Sequence, residues 1–214
     1  ISACLVGSEM CIRDRDRSVR QAISYAIDRE ALIEKITHGV GQVTDNSLPP
    51  TAIGYQRLVP PPHDPARAKA LLHGRRPAFT LAIMAGSPTS MRTALMLQAD
   101  LHAAGIEMSI KPYPYSLIFS PDGPIYRGTF DAALYGTTLN WDPNVLNYLG
   151  CTQWFPKGAN TFGYCNPRLD ALQEAGLRTD NEAKRASIYR VASRIIWSDL
   201  PYVPLYEFRR INVY

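Results

Sequence analysis

An alternating apolar run at Phe79–Ala85, a helical run opened by Ser87-Pro88 and closed by Gly105, and a second alternation at Ile106, Met108 and Ile110 follow one another with little slack. Two strands joined by a helix of this length pair parallel, with a right-handed crossover. This unit commits the chain to an α/β fold, because a parallel pair needs helices to cover it. Its joints carry specific signals. Ser87 supplies an acceptor for the free amides of a helix start, Pro88 stands where no amide donor is needed, and Gly105 admits the left-handed turn that stops a helix.

The remaining elements follow from the same reasoning. Upstream, Val19, Ala22, Ile23, Ala26 and Ile27 recur at helical spacing. Asp28 caps a second helical run, REALIEKITHG, that stops at Gly39. Residues 40–62 turn to Gly, Pro, Asn and Thr and read as an extended loop, after which Asp64-Pro65 opens a short helix closed near Gly74. Downstream, Tyr113–Gly128 reads as irregular and Phe130–Leu134 as a strand. Asn166-Pro167 opens a helix carrying Leu169, Leu172 and Ala175. Thr179 with Glu182 predicts a capping box for the next, whose face is Ile188, Val191, Ala192, Ile195 and Ile196. Pro201 ends that helix, and VPLYEF reads as a final strand.

With 214 residues, 46% of them hydrophobic, the chain can bury a substantial core. Its net charge of +4 comes from scattered Lys and Arg, which fits a solvated basic surface and no nucleic-acid partner. No apolar run approaches the ~20 residues of a membrane span. The first fifteen residues, ISACLVGSEMCIRDR, show neither periodicity nor motif and resemble translated sequencing-adapter read-through. They are left out of the expected fold, which assigns residues 1–15 to an artefactual segment and 16–214 to the domain.

Function is expected between Phe130 and Asp170. The strand there leads into a long loop holding Tyr135, Trp141, Tyr148, Trp154, Phe155, Phe162 and Tyr164. Loops beyond roughly 12–15 residues in a compact domain are functional or disordered, and disorder is poor in aromatics. An ordered binding loop fits best, although the same rings would also seal a core edge. Catalytic signals are scarce. His38, His63, His73 and His102 lack metal-ligand spacing, and nucleophile-elbow, phosphate-cradle and dinucleotide motifs do not occur. Neither a metal nor a cofactor is expected. Asp142 alone is a weak candidate for a general base. Cys151 and Cys165 share the loop; in an oxidising compartment they can pair and pin it, and otherwise they read as two small buried hydrophobes.

VRQAISYAIDREALIEKI, the LPP loop, DPARAKALL, WDPN, GYCNPRLDALQEAG and DLPYVPLY occur in this order from Asp16 to Tyr214. Together they resemble the family 5 extracellular solute-binding proteins, the peptide, dipeptide and nickel receptors of ABC importers. The resemblance implies an α/β lobe of a two-lobed periplasmic-binding-protein type II fold, with a mixed sheet flanked by helices. It implies the C-terminal lobe, incomplete at both ends, with the signal peptide outside this segment. The implied function is capture of a peptide in an interlobe cleft and delivery to the permease of an ABC transporter, without enzyme activity. The implied setting is periplasmic or extracellular, membrane-associated through the transporter, with the full-length protein a monomer; it fits a Cys151–Cys165 disulfide.

In peptide-binding members, the strand matching Phe130–Leu134 commonly leads to a tryptophan, then three residues on an aspartate for the peptide ammonium, then an acidic residue and proline. Here Thr137 and Asn140 stand at those places, followed by Trp141 and Asp142-Pro143. Asn140 accepts a hydrogen bond but brings no charge. Tyr135, Asn140, Trp141 and Asp142 are therefore the expected ligand-facing residues, with Asp142 a displaced anchor or only the cap of a helical turn through Leu149. Alternatives are a non-peptide solute such as a metal chelate or sugar, an α/β hydrolase-type enzyme, and a binding lobe serving as sensor or chaperone. Nickel itself is disfavoured because the loop holds no histidine.

Overall fold

The computed structural model describes residues 2–6, 16–44, 46, 48–137 and 142–207. Strand β1 (Ser2–Val6) lies within the segment left out of the expected fold. Helix α1 (Arg17–Ala26) buries Val19, Ala22, Ile23 and Ala26, and Asp16 caps it by accepting from the Ser18 N–H. Helix α2 (Arg29–Thr37) is capped by Asp28 as expected, and His38 (φ 53°) and Gly39 (φ 77°) carry the left-handed stop. A short strand β2 (Gln42–Val43) lies in the segment expected to be loop. Helix α3 (Pro65–Leu71), strand β3 (Ala78–Met84), helix α4 (Pro88–Ala103) and strand β4 (Glu107–Tyr113) follow the predicted caps closely.

The stretch expected to be irregular contains two single turns, α5 (Tyr115–Ile118) and α6 (Pro124–Arg127). Strand β5 (Ala132–Thr137) begins two residues later than the pattern predicts. Asp131 explains the delay: its carboxylate accepts the Thr80 N–H at 2.9 Å, ahead of the first paired residue, Ala132. Phe130 is still buried, packed with Ile118 and Ile125. After α7 (Leu146–Leu149) and α8 (Pro167–Leu177), α9 (Glu182–Asp199) is capped by Asn181 and not by Thr179. The Thr179 hydroxyl instead donates back to the Ala175 carbonyl, so this residue finishes α8. The predicted final strand divides into β6 (Tyr202–Pro204) and β7 (Tyr206–Glu207).

The main sheet has five strands in the order β4-β3-β5-β1-β6. β3 pairs parallel with β4 and β5, and β1 pairs antiparallel with β5 and β6, so the sheet is mixed. β2 and β7 form a separate antiparallel ribbon. Alternation on β3 and β5 divides the core in two. Leu81, Ile83, Ala132 and Leu134 face α1 to α4, whereas Ala82 and Ala133 join Ile118, Ile125 and Phe130 under α5 and α6. A third cluster, around Leu149, Leu169, Ala192 and Ile196, holds α7, α8 and α9 together.

Arg29 ties the helices to the sheet. It is 4% exposed and donates to the carbonyls of Ser24 and Pro204 and to the Ser24 hydroxyl, each at 2.9 Å. Loss of hydration lowers its pKa to about 10. The guanidinium remains charged at neutral pH and joins the α1–α2 corner to the end of β6.

Candidate functional site

The connections around β3 mark the place in the sheet where a ligand crevice is expected. From β3 the chain crosses through α4 to β4 on one side, and from β4 it returns through α5 and α6 to β5 on the other. Ligands of open α/β sheets bind outside the carboxyl ends of strands where the connections diverge in this way. Here that point lies between the end of β3 at Met84 and the end of β5 at Tyr135–Thr137.

Aromatic rings pack near the end of β5. Tyr135, on β5, stands edge-on to Phe119 with ring centroids 6.0 Å apart, and Phe119 lies 6.0 Å from Tyr115. Tyr115 is 68% exposed. Phe119 and Tyr115 lie in the segment read from sequence as irregular, where no periodicity marks them. Asn140 and Trp141 lie outside the described residues. Asp142 is exposed, and its Oδ1 accepts the Asn144 N–H at 2.9 Å. It shapes the approach to α7 and does not cap it, since Val145 occupies the N-cap. Tyr135 and Asp142 thus flank residues 138–141 on either side.

The chain beyond Asp142 is held by α8. Asn144 Nδ2 donates to the Gln173 carbonyl at 3.1 Å, Gln173 Oε1 accepts the Val145 N–H at 3.0 Å, and Asp170 Oδ2 accepts the Cys151 N–H at 3.0 Å. Gln173 was not among the expected site residues. A polar side chain on the stripe of Leu169 and Gly176 was the signal available for it.

The motif GANTFGYCNP explains itself as loop closure. Cys151 and Cys165 form a disulfide with Cα atoms 4.4 Å apart. Asn160, buried beside it, donates to the carbonyls of Gly150 at 2.9 Å and Tyr164 at 2.8 Å. Asn166 caps α8 by accepting from Arg168 and Leu169 and also donates to Asp199 at the end of α9. Tyr164 donates to the same carboxylate, while Arg20 of α1 donates to the Asp199 carbonyl. Burial first, then the hydrogen bond to Asp199, pushes the Tyr164 phenol well above its ordinary value. It stays neutral and donating at physiological pH.

The model of the bacterial extracellular solute-binding proteins, family 5, matches residues 14–155. The chain belongs to this family. Di/tripeptide-binding protein 3 of Pseudomonas aeruginosa is 31% identical over 199 residues, covering 87% of this chain and 36% of that protein. Heme-binding protein A of Haemophilus influenzae is 30% identical, again over 87% of this chain and 36% of its own length. Among solved structures, a dipeptide-binding protein from a Pseudoalteromonas species in complex with Met-Leu superposes with a TM-score of 0.85 at 26% identity. That match covers 97% of this chain and 42% of the other. The expected fold, an α/β lobe with a mixed sheet flanked by helices, is the one observed. This family 5 chain spans little more than a third of the length of the curated relatives it matches, 36% for the first.

Among the described residues, no group of three or more His, Cys, Asp and Glu could hold a metal ion. No helix there is long and apolar enough to cross a membrane.

Proposed function

We propose that the complete protein carrying this chain is the substrate-binding component of an ABC importer, taking up dipeptides or oligopeptides for a membrane permease. The observation that carries this reading is the 31% identity, across 87% of this chain, to a di/tripeptide-binding protein. Two features are compatible with it: the Tyr135, Phe119 and Tyr115 rings near the end of β5 suit apolar side chains, and the exposed Asp142 carboxylate suits a cationic end. Tyr135, Asn140, Trp141 and Asp142 are the proposed ligand-facing residues. The protein acts by closing around its solute and does no chemistry on it. Its place is outside the cytoplasmic membrane, where the Cys151–Cys165 disulfide persists, and it works as a monomer beside the transporter.

The test is calorimetric titration of the complete protein with a panel of di- to pentapeptides, followed by recovery of the ligand. Saturable binding with peptide returned intact supports the reading. Hydrolysed peptide would point to an enzyme, and an absence of binding across the panel would overturn peptide capture. A non-peptide solute is the second reading. Asn140 in place of the usual aspartate removes one charge from the expected ammonium anchor, and a heme-binding protein stands among the relatives.

A further inference from the structure

Gln173 occupies a position where a side chain of its kind is costly. It is 1% exposed, on the stripe of α8 that also buries Leu169 and Gly176. Its Nε2 has no hydrogen-bond partner, and a buried donor left unpaired opposes folding. An apolar residue of the same length would avoid that penalty. The half of the amide that is satisfied points to what the glutamine does: Oε1 accepts the Val145 N–H at 3.0 Å. The Gln173 carbonyl accepts from Asn144 Nδ2 at 3.1 Å, and the Asn144 N–H is in turn held by Asp142 Oδ1 at 2.9 Å. One buried residue therefore holds Asn144, whose N–H fixes the Asp142 carboxylate, through its main-chain carbonyl, and the adjoining Val145 through its side chain. Among the described residues, the next hydrogen bond from this segment to α8 is at Cys151, whose N–H donates to Asp170.

We propose that Gln173 is a positioning residue for ligand capture, orienting the Asp142 carboxylate toward the cationic end of the solute. The inference rests on the peptide reading above, in which that end is the peptide ammonium. A carboxylate with one oxygen tied to its own loop presents the other in a restricted set of directions, so less freedom is lost when an ammonium binds.

The experiment uses the complete protein with two substitutions. Gln173→Met keeps the length and removes the acceptor; Gln173→Glu keeps an acceptor oxygen for Val145. Two quantities are read: the affinity ratio for Ala-Leu over N-acetyl-Ala-Leu, and the hydrogen exchange of the Val145 amide. In Gln173→Met the preference for the free amine is expected to fall about five- to tenfold, with binding of the acetylated peptide little changed. Val145 exchange is expected to accelerate, and Gln173→Glu to restore both. An unchanged preference in Gln173→Met, or an unchanged Val145 exchange rate, would overturn the proposal. Should the unsubstituted protein bind neither peptide, the peptide reading fails and the capture role of Gln173 falls with it, a result distinct from an unchanged preference.

Discussion

The Tyr164 hydroxyl donates to Asp199 Oδ2 across 2.6 Å, joining the disulfide loop to the end of α9 through residues 35 apart in sequence. Asn166 reaches the same oxygen at 2.8 Å, so the carboxylate keeps one partner when the other is removed.

Tyr164→Phe is therefore expected to cost about 1–2 kcal/mol, as the loss of one hydrogen bond to a charged acceptor. The pH dependence has a definite sign. Because the folded phenol is raised above its ordinary value, its contribution is complete below about pH 10 and is lost as pH rises beyond that, where the unfolded chain ionises first. Urea unfolding at neutral and alkaline pH checks both points: the phenylalanine variant should lose less stability above pH 10 than the parent.

Reduction of the Cys151–Cys165 disulfide is expected to lower stability by about 3 kcal/mol, the loop-closure figure for a ring of this size. Parallel unfolding curves with and without reductant give the value. Limited proteolysis should show new cleavage between the two cysteines in the reduced protein only.

Gly176→Ala should destabilise although alanine is the better helix former. A Cβ there would sit 2.5 Å from Cζ and 2.7 Å from the hydroxyl oxygen of Tyr189. That ring is 1% exposed and has nowhere to turn. Overpacking of about 1–3 kcal/mol outweighs the propensity gain of about 1 kcal/mol. Thermal melting of the alanine variant should show a lower midpoint; an increase would mean that the α8–α9 contact yields.

Asp16 carries an acid-sensitive contribution. The hydrogen bond from Arg75, then that from the Ser18 hydroxyl, holds its pKa at about 2. The depressed value means the stabilisation is present above about pH 4 and is lost as pH falls toward 2. Both partners are a third or more exposed, so solvent screening limits the effect to about 0.5–1 kcal/mol. Asp16→Asn retains an acceptor for the α1 cap and should flatten stability against pH between 4 and 2. Asp16→Ala should lose a further ~1 kcal/mol through the cap itself.

What the sequence disclosed follows the range of the interactions. Asp28, Asp64, Ser87 and Asn166 were legible as caps because each acts on an amide two or three residues away. The β-α-β unit was legible for the same reason: its periodicities and stops are local. Thr179 misled because a threonine can close the helix behind it as well as open the one ahead. The start of β5 was displaced by Asp131, whose partner Thr80 is 51 positions away. Gln173 is another case of distance, holding Val145 from 28 residues off. Of the expected ligand-facing residues, Tyr135 and Asp142 are among the described residues, and Asn140 and Trp141 fall outside them.

The alternation of β3, with Leu81 and Ile83 on one side and Ala82 on the other, has an evolutionary consequence. Neighbouring positions on this strand face different cores, so a substitution at one need not disturb the packing of the other. Changes on the α5–α6 side can remodel the packing around Phe119 and Tyr135 while the larger helical core behind the sheet goes untouched. A lineage could thus exchange one cargo for another by drift and selection on a single side of the sheet, without first acquiring spare stability on the other.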